Sequence, residues 1–145
     1  MIQSNPRSAA RVMPIIIGAF VAQNVLLCLL ILPAQLEHGP RELPLPFLAI
    51  SLGAAIAGVV YANLKLRARQ VASSLEELPA PQKFQTDMMI ALALLEFCAL
   101  LGIFLVAHPV WSYILVGASL AGIVGAVLPP TLHYCRVLTE SNERK

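Results

Sequence analysis

Charge is what this sequence has least of, and its distribution matters more than its total. Only 12% of the 145 residues are charged, against 58% hydrophobic, and mean hydropathy is +0.76. An ordinary soluble domain carries about 25% charged residues. With the histidines neutral, nothing ionised lies between Arg11 and Glu37, between Glu42 and Lys65, or, Glu96 apart, between Asp87 and Arg136. These gaps exclude water-facing helices and define a membrane protein. A helix rises about 1.5 Å per residue and a bilayer core is about 30 Å thick, so roughly 20 apolar residues make one crossing. The first two gaps hold one crossing each. The third holds two, divided at "HPVWS", where Pro109 ends a helix and Trp111 and Tyr113 suit a headgroup interface. The reading is one all-α membrane domain with four transmembrane helices at 12–33, 45–65, 87–107 and 110–130.

The chain also lacks the usual furniture of an enzyme or a metal site. Its three cysteines, Cys28, Cys98 and Cys135, form no C-x-x-C pair and read as buried thiols. His38, His108 and His133 are dispersed among loops and interfaces, which gives no metal site. There is no G-x-S-x-G, no H-E-x-x-H, no glycine-rich phosphate loop and no intramembrane pair of carboxylates. The expectation is a protein that is not an enzyme and has no cofactor. An enzyme acting on lipid or quinone stays open as a third choice behind the two functions set out below.

The ten basic residues set an orientation. In a four-span chain both termini share a side with the middle loop, and that side carries Arg7, Arg11, Lys65, Arg67, Arg69, Lys83, Arg136, Arg144 and Lys145. The other side has Arg41 alone. The positive-inside bias therefore puts both termini, the 66–86 loop and the 131–145 tail in the cytoplasm. The net charge of +2 is topological and makes no case for nucleic acid. A cleaved signal peptide rivals the first span, but the run is long for one and "ILPAQ" is a poor cleavage site. The outer loop "AQLEHGPRELPLP" is a short proline-rich connector. In "NLKLRARQVASSLEEL" there is no breaker, so the second helix is expected to run past the membrane until "PAPQ". Lys65, Arg67 and Arg69 then lie near anionic headgroups. Pro129 and Pro130 kink or end the fourth helix.

Two features inside the spans carry information. The first is small residues at intervals of four: Ala49, Gly53 and Ala57, then Ala54, Gly58 and Ala62, in the second span. The fourth span repeats this with Gly117, Ala121 and Gly125, then Ala118, Gly122 and Ala126. Such stripes let helix backbones approach closely in lipid, either within one bundle or against another subunit. The second is Glu96. It lies nine residues beyond Asp87, roughly 14 Å deep, while Gln23 and Asn24 lie roughly 18–20 Å beyond Arg11. Ser119 falls near the middle of the fourth span, so these polar groups share a layer. An ionised carboxylate at a helix centre costs about 3 kcal/mol even on a lenient insertion scale. No intramembrane Lys or Arg neutralises it, so Glu96 is expected to carry a proton and to bond an amide such as Gln23 or Asn24. It is then an interhelical fastener or a proton-binding site.

At "LALLEFCALLGIFLVAHP" the chain resembles the second helix of the proteolipid (c) subunit of rotary ATP synthases, whose ion-binding carboxylate sits mid-helix. The preceding "LGAAIAG" helix and basic loop look like that subunit's first helix and polar loop. The likeness covers roughly 47–109 and implies ion binding at Glu96. It departs in having few alternating glycines, a longer loop without the Arg-Gln-Pro turn, and two extra spans. Over nearly its whole length the chain is also similar to uncharacterised small bacterial four-span membrane proteins. The residues that carry this are "FQTDMMI", "ALALLE" and "PPT". That resemblance implies a fold and a bacterial inner membrane but no activity. Two functions follow as expectations: a non-enzymatic packing or accessory subunit, or proteolipid-like proton or sodium translocation through Glu96. The expected partners are the lipid bilayer and either further copies of the chain or a larger membrane complex.

Overall fold

Proline sets where three of the helices begin. Its missing N–H costs nothing in a first turn, and its fixed φ suits one. The computed structural model describes residues 6–31, 33, 44–67, 79–106 and 108–143. Helix α1 is Pro6–Leu26, α2 Leu45–Lys65, α3 Pro81–Leu101, α4 Pro109–Gly122 and α5 Leu128–Glu143. Helices α2, α3 and α4 each carry proline in the first two positions and use no side-chain cap. No strand occurs among the described residues. Four stretches are long and apolar enough to cross a membrane: Ala10–Leu30, Leu45–Lys65, Pro81–Val106 and Val110–Glu140. The molecule is an all-α membrane protein with four transmembrane helices.

Two helices differ from expectation. Helix α2 ends at Lys65, short of the expected continuation; Leu66 caps it through its N–H to the Ala62 carbonyl at 2.8 Å. Leu66 is fully buried. Residues 68–78, with Arg69, lie outside the described residues, as do most of the outer connector with His38 and Arg41, and the terminal Arg144 and Lys145. The fourth helix continues through Pro129 and Pro130 as α5, so most of the tail is helical. The two prolines remove the donors that the Gly125 and Ala126 carbonyls would otherwise use, and a π-helical turn, Ile123–Val127, lies directly before them. Similar π turns finish α1 at Leu27–Ile31 and α3 at Gly102–Val106.

Helix α3 is the axis of the bundle. Of its most apolar stretch 50% is buried, against 22% for the first span, and it packs on α1, α2 and α4. The main core runs through Ile17, Ala62, Phe84, Met88, Leu92, Leu95 and Ile123. A smaller cluster at the far end joins Leu27, Ala99, Ile103 and Val116. Helix α5 lies along α1, and Tyr134 stacks on Phe84 with ring centres 4.0 Å apart and planes within 4°. Tyr134 also donates to the Pro79 carbonyl at 2.7 Å, tying α5 to the approach to α3. Large apolar side chains such as Ile15, Leu29, Ile56, Phe104 and Val124 point outward, as hydrocarbon solvent permits.

The glycines divide into two kinds. A Cβ added at Gly58 would stand 2.9 Å from Leu95 Cγ, and one at Gly122 2.6 Å from Leu95 Cδ2. One at Gly102 would stand 2.8 Å from Leu115 Cβ, an atom that no rotamer change can move. At Gly53, Gly117 and Gly125 nothing lies within 4 Å. Gly102→Ala must therefore push α3 and α4 apart, and is expected to lower stability by about 1–3 kcal/mol. Gly117→Ala is expected to leave stability unchanged or slightly raised. Thermal unfolding of both variants in detergent measures the difference, and equal melting would contradict this packing.

Candidate functional site

Glu96 follows Leu95 on α3, and the 100° step between successive helical residues turns it from the glycine contacts of α2 and α4 towards α1. It is 6% exposed. Asn24 on α1, fully buried, donates from Nδ2 to Glu96 Oε2 at 2.6 Å. Gln23, its neighbour, donates from Nε2 to Oε1 at 2.6 Å and lies on the exposed side of α1. Each carboxyl oxygen thus receives one amide N–H, and two helices are joined by a pair of short bonds in the hydrocarbon layer.

The two amides are held differently. Asn24 Nδ2 also donates to the Phe20 carbonyl of its own helix at 3.0 Å, so reversing that amide would set two acceptors face to face. Gln23 has no such anchor among its bonds. It can present its Nε2 to an ionised carboxylate or, turned about, its Oε1 to a protonated one. The site can therefore hold Glu96 in either protonation state with one side-chain rotation and no movement of the helices.

Ser119 is fully buried in α4 but does not bond Glu96; its Oγ has no hydrogen-bond partner among the described residues. Along the chain it lies between Val116 and Ile123, which belong to different core clusters. Another buried hydroxyl of α4, Ser112, donates to the Gly102 carbonyl at 2.7 Å, relieving a π-turn carbonyl. Among the described residues no three His, Cys, Asp or Glu side chains gather as metal ligands would. All three cysteines are free thiols, Cys98 donating to the Leu115 carbonyl at 3.6 Å. An open groove of about 540 Å³ follows the outward face of α3, lined by Gln82, Gln85, Thr86, Met89, Ile90 and Ala93, and Glu96 is not part of its lining.

Sequence reasoning missed a second polar link. Tyr61 on α2 donates to Asp87 Oδ1 on α3 at 3.0 Å, and Asp87 is only 8% exposed although it stands at the edge of an apolar run. The signal was present: Tyr61 lies four residues from Lys65, and Asp87 four from Lys83, so the two share a depth on neighbouring spans. Gly102 was missed as well, because it belongs to no four-residue repeat.

The small-residue stripes sort cleanly by side. Ala62, Gly58 and, partly, Ala54 face the bundle interior, as do Gly122, Ala126 and, partly, Ala118. Ala49, Gly53 and Ala57 on α2, with Gly117, Ala121 and Gly125 on α4 and the turn after it, are exposed. Comparison with protein-family models, curated proteins and solved structures finds no match to this chain, so the functional reading rests on this geometry.

If the amide pair and Glu96 form one fastener, the variants rank by what they leave unpaired. Glu96→Gln keeps one acceptor for Asn24 and offers an amide to a reversed Gln23, so its expected cost is below about 1 kcal/mol. Glu96→Leu strands both amides and should cost about 1–3 kcal/mol. Unfolding titrations in mixed micelles, with the Asn24→Leu single and double variants closing the cycle, read the coupling directly. Equal loss in the Gln and Leu variants would contradict the assignment.

Proposed function

We propose that the chain is a non-enzymatic integral membrane protein, an accessory or packing subunit that associates with itself or with another membrane protein through its outward small-residue faces. The observation that carries this is the division of the glycines. Gly58 and Gly122 are consumed by Leu95 inside the bundle, whereas Gly53, Gly117 and Gly125 leave open backbone on the outside. In lipid there is no hydrophobic drive between helices, and close backbone contact supplies much of the association energy. On this reading Glu96 serves the bundle as a fastener and the exposed stripes serve the partner. The cations Arg11, Lys65, Arg67, Lys83 and Arg136 are exposed and lie near the helix ends that share one side of the four-span topology. The positive-inside bias makes that side cytoplasmic and, with the likeness to bacterial four-span proteins, the membrane a bacterial inner membrane with both termini inside.

The test is the size of the assembly. Full-length protein extracted in a mild detergent should run larger than one chain, and Gly53→Leu together with Gly117→Leu should reduce it to the single bundle with its melting preserved. An assembly of unchanged size would remove this reading.

The second reading, proteolipid-like proton or sodium handling, is favoured by one observation: Glu96 is the only hydrogen-bond partner of the Gln23 amide among the described residues, so reversal of that amide could follow protonation of Glu96. In nanodiscs the carboxyl infrared band, identified by its loss in Glu96→Gln, should on that reading titrate with bulk pH and shift with added sodium. A band indifferent to both leaves Glu96 structural.

A further inference from the structure

The first span buries the smallest share of its apolar surface, and its exposed face contains a polar residue. Gln23 is exposed roughly 18 Å beyond Arg11 along the helix. Only one hydrogen of Nε2 is used by Glu96; the second, and the amide oxygen Oε1, have no partner among the described residues. In water such an amide needs no explanation. In hydrocarbon an unpaired amide is costly, and lipid tails offer neither donor nor acceptor.

We infer that a second copy of this chain covers that face, with the two Gln23 amides paired across a two-fold axis. A primary amide is self-complementary: each Oε1 accepts the spare Nε2–H of the other, so one residue type satisfies both sides of an isologous contact. A lipid cannot match this at that depth, because its polar groups lie at the surface. The neighbouring residues suit the same partner. Val12, Ile15, Ala19, Ala22, Leu26 and Leu29 are all exposed and recur at alternating intervals of three and four, the spacing of a left-handed helix pair. Alanines stand at the middle of this seam, beside Gln23, where the backbones must approach for amides to meet. The Nε2 bond to Glu96 is kept, since the pair uses the nitrogen's other hydrogen. The inference rests on the reading that the protein associates within the membrane, but it locates the contact on α1, away from the stripes of α2 and α4.

The experiment is oxidative cross-linking of the full chain carrying Ala22→Cys, reconstituted at high lipid-to-protein ratio and treated with copper phenanthroline. The parent chain is the control, because Cys98 and Cys135 are buried and Cys28 lies on a different side of α1. A covalent dimer is expected with Ala22→Cys and absent from the control. Adding Gln23→Leu should reduce its yield roughly tenfold. Since Gln23→Leu also removes a bond to Glu96, Ala19→Ile is the companion variant: it adds bulk on the exposed face and touches nothing inside, and should suppress the dimer equally. No dimer, or a dimer insensitive to both variants, overturns the inference. Loss of the α1 dimer with an intact larger assembly would leave the stripe-mediated reading standing. A dimer that survives Gly53→Leu and Gly117→Leu would place association on α1 alone.

Discussion

Leu95 sits where α2, α3 and α4 come closest, in the space that Gly58 and Gly122 leave by having no side chains. Much of the bundle's geometry depends on that contact. In lipid the helices have no water to escape, so their separation is set by how closely surfaces fit and by which polar groups must find one another. A leucine entering two glycine gaps draws three helices together on one side of α3. The next residue, Glu96, is then carried round to the other side, where α1 supplies Asn24 and Gln23. Apolar fit and polar pairing are thus adjacent positions on one helix, acting in different directions.

Many of the buried polar groups of the spans are met by a carbonyl of their own helix or by a neighbouring span, whereas Asn24 Oδ1 and Ser119 Oγ have no partner among the described residues. Ser51 returns to Phe47 and Thr131 to Val127 on their own helices, while Ser112 of α4 crosses to the Gly102 carbonyl in the π turn after α3. Side-chain links between helices include Glu96 with Asn24 and Gln23, Cys98 with the Leu115 carbonyl, and Tyr61 with Asp87 nearer the basic end. A bundle built this way has its specificity in a handful of pairs, while its surface remains indifferent leucine, isoleucine and valine. The places where that surface is not indifferent are the open glycines and the exposed Gln23.

Three π turns add to the backbone's part in this economy. Each closes a helical segment, and the one before Pro129 and Pro130 lets a helix pass two residues that cannot donate. Proline in a membrane helix is tolerated when the freed carbonyls are accommodated nearby. The result is an unbroken rod from Pro109 to Glu143 whose last turns lean on α1 through Tyr134, Cys135 and Leu138. A reading of the chain that treats proline as a stop misses this, because the compensation lies in backbone geometry that no residue type announces.

The sequence by itself determined the number of crossings, their approximate limits and the layer in which Gln23, Asn24 and Glu96 lie. Gaps between ionised residues and the rise of a helix are one-dimensional quantities, and hydrocarbon punishes departures from them heavily. What only the tertiary structure decided was direction around each helix. It decided that Ser119, in the right layer, does not reach Glu96, that Gly58 and Gly122 face inward while Gly53 and Gly117 face out, and that Gly102 sits against Leu115. Azimuth depends on which neighbour a face meets. Two small-residue stripes on one helix are identical in a sequence, and become different only when Leu95 chooses between them.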